Sequence, residues 1–366
     1  MANKILAFFA LGILAACFTV YDNGDYLESI VMPAIKTSTQ SFHNMINRFE
    51  IRSGSTYSIS HLTGIAQKII QPNASTISSV ETPADVIYNV LGPKYSGTQI
   101  QQYALELINQ DRAQSGLLPV VLSSNQAAQV QAQDILGTRQ ISHWMTDGEK
   151  PYMSYTRYGG LGAVQQNVAT ALCEGLVCAM NPIDEIKTAE YNMMYNDASS
   201  DWGHRENILD AHHTSVSIGI AYDDNTFVIV QNFENNYIAF TQPITYNSGT
   251  VSFSGTISQG KIDYIEVDYD SLPTPAIYEQ NSHATSYSLG TPLAIVDKPL
   301  PFGQYYQQLS GYTMVTAQKW TEQDNSVTIS FDANQIITKP GVYDVLVWLD
   351  SNGQTFPATY YSIVRQ

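Results

Sequence analysis

The chain has 366 residues, enough for two domains with additional segments. It carries 17 Lys+Arg against 33 Asp+Glu, a formal net charge of −16, and only 14% of its residues are charged. That balance excludes nucleic acid and anionic membrane as partners, because both need basic surface, and it leaves an exterior built mostly of Ser, Thr, Asn, Gln and the 24 Tyr.

The first residues read as a targeting segment. Lys4 precedes a continuous apolar run over residues 5–17, too short to span a bilayer and suited to the core of a signal peptide. Leu14-Ala15-Ala16-Cys17 fits a lipoprotein signal, with membrane attachment through a lipidated Cys17; cleavage after Ala16 is the alternative. Residues 1–17 are therefore expected to direct export, to the extracellular space or the cell surface. Residues 18–97 read as a polar spacer with marginal helices, broken at Pro33 and carrying the sequon Asn73-Ala74-Ser75. Two further cysteines, Cys173 and Cys178, are expected to pair in an exported chain; a metal half-site lacks a second Cys pair.

The texture changes at residue 98. Ile100, Ala104, Leu107 and Ile108 recur at helical spacing up to Gly116, and residues 119–122 form an extended link. A second helix is expected over 125–136, where Ala127, Ala128 and Ala132 suit close packing. It leads to Ser142-His143-Trp144. Residues 152–162 read as a Tyr/Gly loop. A third helix is expected over 182–197, with Ile183, Ile186, Glu190, Met193 or Met194, and Asp197 on its inner face. Carboxylates turned inward need partners. Then comes Trp202-Gly203-His204-Arg205-Glu206-Asn207-Ile208-Leu209, followed by two buried strands at 217–222 and 227–233. From residue 241 the pattern alternates at period two, in short runs at 251–255, 262–267, 327–331, 343–349 and 359–363, which suggests a β-sandwich. Pro340-Gly341-Val342-Tyr343 resembles the opening of a late strand in immunoglobulin-like modules.

Several of these motifs occur in one order. They are Asn109-x-x-Arg112 with Gly116, the Ala-rich helix, Ser142-His143, Gln166-Asn167, Gly203-His204-Arg205-x-Asn207-Ile208-Leu209, Ile218-Gly219-Ile220-Ala221 and Val230-Gln231-Asn232-Phe233. Together they resemble the CAP superfamily (cysteine-rich secretory protein, antigen 5, pathogenesis-related 1), in its prokaryotic SCP-like branch. The resemblance covers residues 98–240. It implies an α+β fold: an α-β-α sandwich around a central antiparallel sheet, followed here by an all-β immunoglobulin-like module at 241–366. It also implies a cleft with two His and two acids, which in several members holds a divalent cation such as zinc. His143 and His204 match the two imidazoles. Gln166 stands where the family has Glu, and the other acid is Glu190 or Asp197.

Two neutral imidazoles and a carboxylate suit zinc and leave a position open for water or ligand. Without metal, His143, His204 and Glu190 are candidates for general base and acid. In a third reading these groups only satisfy one another, with Gln166, Asn167, Arg205 and Asn207 fixing the cleft and Arg112 serving as an ion-pair partner. No Gly-x-Ser-x-Gly elbow is present, which disfavours an enzyme. The expected function is an exported protein whose cleft binds a peptide, lipid, glycan or cell-surface partner. The alternatives are a secreted peptidase-like hydrolase and a structural or adhesive envelope protein.

Overall fold

The computed structural model describes residues 97–173, 178 and 180–366. The signal segment with Cys17, the 18–96 stretch and its sequon lie outside the described residues.

The first half is a three-layer arrangement. Its sheet has the order β1 (Val121–Leu122), β3 (Ser215–Tyr222), β4 (Thr226–Asn235), β2 (Ala163–Leu172). β1 runs parallel to β3, and the other pairs are antiparallel. β4 is buried at every position, because both of its faces are covered. Phe227, Ile229 and Phe233 pack under α1 (Gly97–Gln114) and α4 (Pro182–Tyr195), with Ile108, Ile186 and Met193. Val228 and Val230 face α2 (Ala127–Thr138), whose Ala128 and Ala132 lie against the sheet. A Cβ added at Gly219 would meet the Ala128 carbonyl oxygen at 2.0 Å, so helix and strand approach as closely as the backbone permits. The small residues at 127–132 were legible as a packing face for this reason.

One segment departs from the sequence expectation. The Tyr/Gly stretch is a helix, α3 (Pro151–Arg157), opened by Pro at its first turn. Tyr152, Met153 and Tyr155 are buried in a cluster shared with Val342, Leu346 and Tyr360 of the C-terminal region. Tertiary burial outweighs the weak local propensity of these aromatics.

The C-terminal region is a β-sandwich. One sheet has the order β10 (Lys319–Gln323), β11 (Ser326–Asp332), β6 (Thr250–Ile257), β5 (Ile238–Asn247). The other runs β13 (Gln354–Arg365), β12 (Gly341–Ser351), β7 (Lys261–Asp270), β8 (Thr291–Asp297), β9 (Thr313–Thr316). Inward residues of both sheets, among them Phe253, Ile265, Ile329, Phe331, Val345 and Val347, form one core. The Tyr343 hydroxyl donates to the Lys339 carbonyl at 2.9 Å and accepts from the Thr338 and Lys339 amides at 3.2 Å. That contact is the tyrosine corner of immunoglobulin-like sandwiches. A short helix, α6 (Pro275–Asn281), precedes β8.

Both regions belong to one compact unit. Lys150 pairs with Asp270 at 2.8 Å, the Tyr360 amide donates to the Gly162 carbonyl at 3.1 Å, and Asn235 donates to the Pro357 carbonyl at 2.8 Å. No described helix is long and apolar enough to cross a membrane.

Candidate functional site

The site is built around α5 (Gly203–Ile208), a helix of six residues. The chain leaves α4, makes a 3-10 turn at Ala198–Ser200, and then reverses through two residues in left-handed conformation, Asp201 (φ 51°) and Trp202 (φ 64°). The reversal brings the amides of His204 and Arg205 onto Asp197 Oδ2, at 3.0 and 3.2 Å. Asp197 Oδ1 lies 2.7 Å from His204 Nδ1. Asp197 therefore sits at the positive end of the helix and also sets the orientation of the ring, with Nε2 making no hydrogen bond among the described residues. The carboxylate that completes His204 is Asp197, which lies beyond the helix end at Tyr195.

Glu190 goes elsewhere. It is buried, accepts from Gln231 Nε2 at 2.9 Å, and leaves its Oε1 without a partner among the described residues. Burial pushes its carboxyl up to about 8, with Asp111 adding to the effect and Gln231 opposing it. A chain of amides continues from there. Asn167 lies 3.4 Å from Gln231 and also donates to the His204 carbonyl, Asn207 donates to Asn167 at 2.9 Å, and His213 lies 2.9 Å from Asn207. Burial drives the His213 imidazole down to about 4.

His143 stands on the opposite wall. Gln166 Nε2 donates to Gln131 at 3.0 Å and to Asn232 at 2.9 Å, so its Oε1 is left to accept from His143 Nδ1 at 3.0 Å. Gln166 is thus an integral part of the site, holding the His143 ring through a neutral acceptor. Burial lowers the His143 pKa, the Gln166 bond opposes the shift, and His204 across the cleft lowers it further.

His143, Gln166, Asn167, His204 and Asn207 line one cleft of about 380 Å³. The sandwich region supplies a further wall, through Thr285, Ser286, Tyr287, Leu289 and Tyr360. The Tyr287 ring stands 5.1 Å from the His143 ring. Sequence reasoning missed these residues, since a Tyr in a polar loop some 140 positions from His143 carries no local signal. Arg205 does not line the cleft; it donates to the Met194 carbonyl at 2.6 Å and ties α5 to α4. Arg112 is fully buried and binds carbonyls, not a carboxylate: those of Leu118, Ile208 and Asp210 at 3.0, 2.7 and 2.8 Å. It therefore closes the C-terminal end of α5 instead of forming the expected ion pair.

The donor set does not fit a resident zinc. Both oxygens of Asp197 are engaged, Glu190 lies outside the cleft, and Gln166 is fixed by its amide contacts. Two imidazoles remain, short of the three protein ligands of a catalytic zinc site. Among the described residues no three of His, Cys, Asp and Glu come together as a metal set. Beyond the cleft, Cys173 and Cys178 form a disulfide with Cα atoms 5.9 Å apart, as their spacing led one to expect.

Comparison with known proteins agrees with the motif order. Residues 105–233 match the family model described as CAP, the cysteine-rich secretory protein family. Among solved structures, an extracellular protein containing an SCP domain from Bacillus anthracis str. Ames is 18% identical, with a TM-score of 0.29, over 43% of this chain and 45% of that chain. The CAP domain of Enterococcal PrgA is 15% identical, with a TM-score of 0.28, over 50% of this chain and 81% of that chain. This chain thus spans less than half of the first of these structures. No curated protein matches. Ordered motifs, layered fold and family match together identify residues 105–233 as a CAP domain.

Proposed function

We propose that the protein is exported and that its cleft binds a ligand without a resident metal and without turnover. In this reading residues 98–240 are the ligand-binding domain and residues 241–366 the module that completes the cleft wall. The observation that carries the proposal is that both imidazoles face one cavity whose far side is supplied by Thr285, Tyr287 and Tyr360. A pocket shared between two regions of one compact unit, with several hydrogen-bonded polar groups, is the ordinary form of a binding site. Export is supported by the apolar run at 5–17 and by the Cys173–Cys178 bridge, which persists in oxidising compartments.

The test is nuclear magnetic resonance of the full chain labelled at histidine, titrated in turn with peptide, glycan and lipid probes and with zinc chloride. A ligand shifts the His143 and His204 ring signals saturably, and zinc produces no stoichiometric change. Absence of any saturable shift with every probe refutes the cleft reading.

A second reading has one observation in its favour. A buried Asp197 bonded to His204 Nδ1 is the base-and-orienter pair of nucleophilic and general-base catalysis. Peptide hydrolysis that vanishes in His204→Ala while the circular dichroism spectrum is retained would establish it. No hydrolysis in the wild type would remove it.

A further inference from the structure

The cleft does not end at the two histidines. We propose that its ligand is an extended basic peptide segment of a partner protein, which docks by adding a strand to the edge of β2 that is left unpaired among the described residues. This inference rests on the cleft reading above and names the ligand class.

β2 is the terminal strand of its sheet and pairs only with β4 among the described residues. Backbone groups alternate in direction along such a strand. The Cys173 amide donates to Asn225 at the β4 side, whereas the Gly162 carbonyl accepts from Tyr360 on the far side. Odd positions therefore turn toward β4 and even positions turn outward. Val164, Gln166, Val168, Thr170 and Leu172 present their amides and carbonyls at the edge. The sandwich region covers the near end, with the Tyr360 amide on the Gly162 carbonyl and Tyr287 lining the cleft beside Gln166. From Val168 to Leu172 the outward groups meet no hydrogen-bonding partner among the described residues. An edge of this kind is a template for an incoming strand.

The edge also has a groove beside it. Residues 164–167 line the cleft of about 380 Å³, and residues 168–171 line a second depression of about 190 Å³ against α4. His204 and Ser200 belong to both, so the two form one path along the strand. A segment of about six residues, at roughly 3.3 Å per residue, follows this path from Gln166 to Ala171. Charge complementarity sets the chemistry of the occupant. Neither depression is lined by Lys or Arg, Glu185 and Asp197 line the second one, and the chain as a whole carries −16. A chain with Lys or Arg at alternate positions can direct them toward α4 while its backbone pairs with β2.

The experiment uses the full chain and an array of fluorescein-labelled nonapeptides with Lys at every other position and the remaining positions varied. Binding is read by fluorescence anisotropy. Thr170→Pro removes an outward donor and leaves the β4 ladder intact; Thr170→Val keeps that donor and serves as the control. The best binder is also made with its edge-facing amides N-methylated, which tests main-chain pairing without altering the protein. Saturable binding is expected, weakened at least tenfold by Thr170→Pro and by N-methylation, unchanged in Thr170→Val, and reduced by salt. Equal binding of the methylated peptide, or no saturable binding of any array member, overturns the inference. A peptide that shifts the His143 and His204 signals but is indifferent to Thr170→Pro and to N-methylation also overturns strand addition, and leaves the cleft reading standing. Strand-like binding that leaves both histidine signals unmoved refutes the cleft reading instead.

Discussion

Asp197 serves three partners with one carboxylate: the amides of His204 and Arg205 and the ring of His204. Its removal therefore takes away a helix cap and an orienting bond together. Asp197→Ala is expected to cost about 1–2 kcal/mol in chemical denaturation and to broaden or move the His204 ring signal. Glu190 and His213 make opposing contributions to pH dependence. Glu190, raised by burial to about 8 from the ordinary 4.5, holds its proton longer in the folded state. Its contribution is fully present below about 4.5 and is lost as pH rises through about 8. His213, lowered to about 4 from 6.5, resists protonation when folded, so its contribution is present above about 6.5 and is lost as pH falls toward 4. Melting temperature against pH should accordingly lose its alkaline decline in Glu190→Gln, while the acid decline persists. An unchanged alkaline limb would contradict the assignment. At this scale His143, His204, Gln166 and Asn167 were legible from motif order. The choice between Glu190 and Asp197 was not. Helical periodicity places both inward, whereas the structure ends α4 at Tyr195 and turns the chain back through Asp201 and Trp202.

Each element of the first domain is positioned by a specific packing demand. α2 lies on β3 at Gly219, where no side chain fits against the Ala128 carbonyl. Gly219→Ala is expected to destabilise the domain by about 1–3 kcal/mol, measured as a shifted urea midpoint with unchanged slope. The Cys173–Cys178 bridge closes a short loop directly after β2. On chain-entropy grounds Cys173→Ser should cost about 2 kcal/mol, again read from urea unfolding. An effect near zero would mean that the loop is already constrained without the bridge. The Ala-rich helix and the strands around residues 217–233 were readable because their patterns are local and strong. α3 was not, because its apolar face is Tyr and Met in a Gly-rich context. Its partners, Val342, Leu346 and Tyr360, lie nearly two hundred residues downstream.

Over the whole molecule, the second region is a structural part of the site. Asp270 accepts from Lys150 and Tyr152, Tyr360 tethers Gly162, and Tyr287 flanks His143. Alternation at period two disclosed a β-sandwich, and Pro340-Gly341-Val342-Tyr343 resembled the opening of a late strand in immunoglobulin-like modules, but nothing in either signalled that the sandwich closes a cleft in its neighbour. Such closure depends on where the loop at 283–290 falls in space. In the proposed function the two regions bind a ligand jointly at the two histidines. The most direct measurement is ligand titration of histidine-labelled full chain beside Tyr287→Ala, a change in the sandwich region alone. The wild type is expected to show saturable shifts of both ring signals, with affinity at least tenfold weaker in Tyr287→Ala and the fold retained. Equal affinity in the two proteins, or shifts confined to other residues, would contradict it.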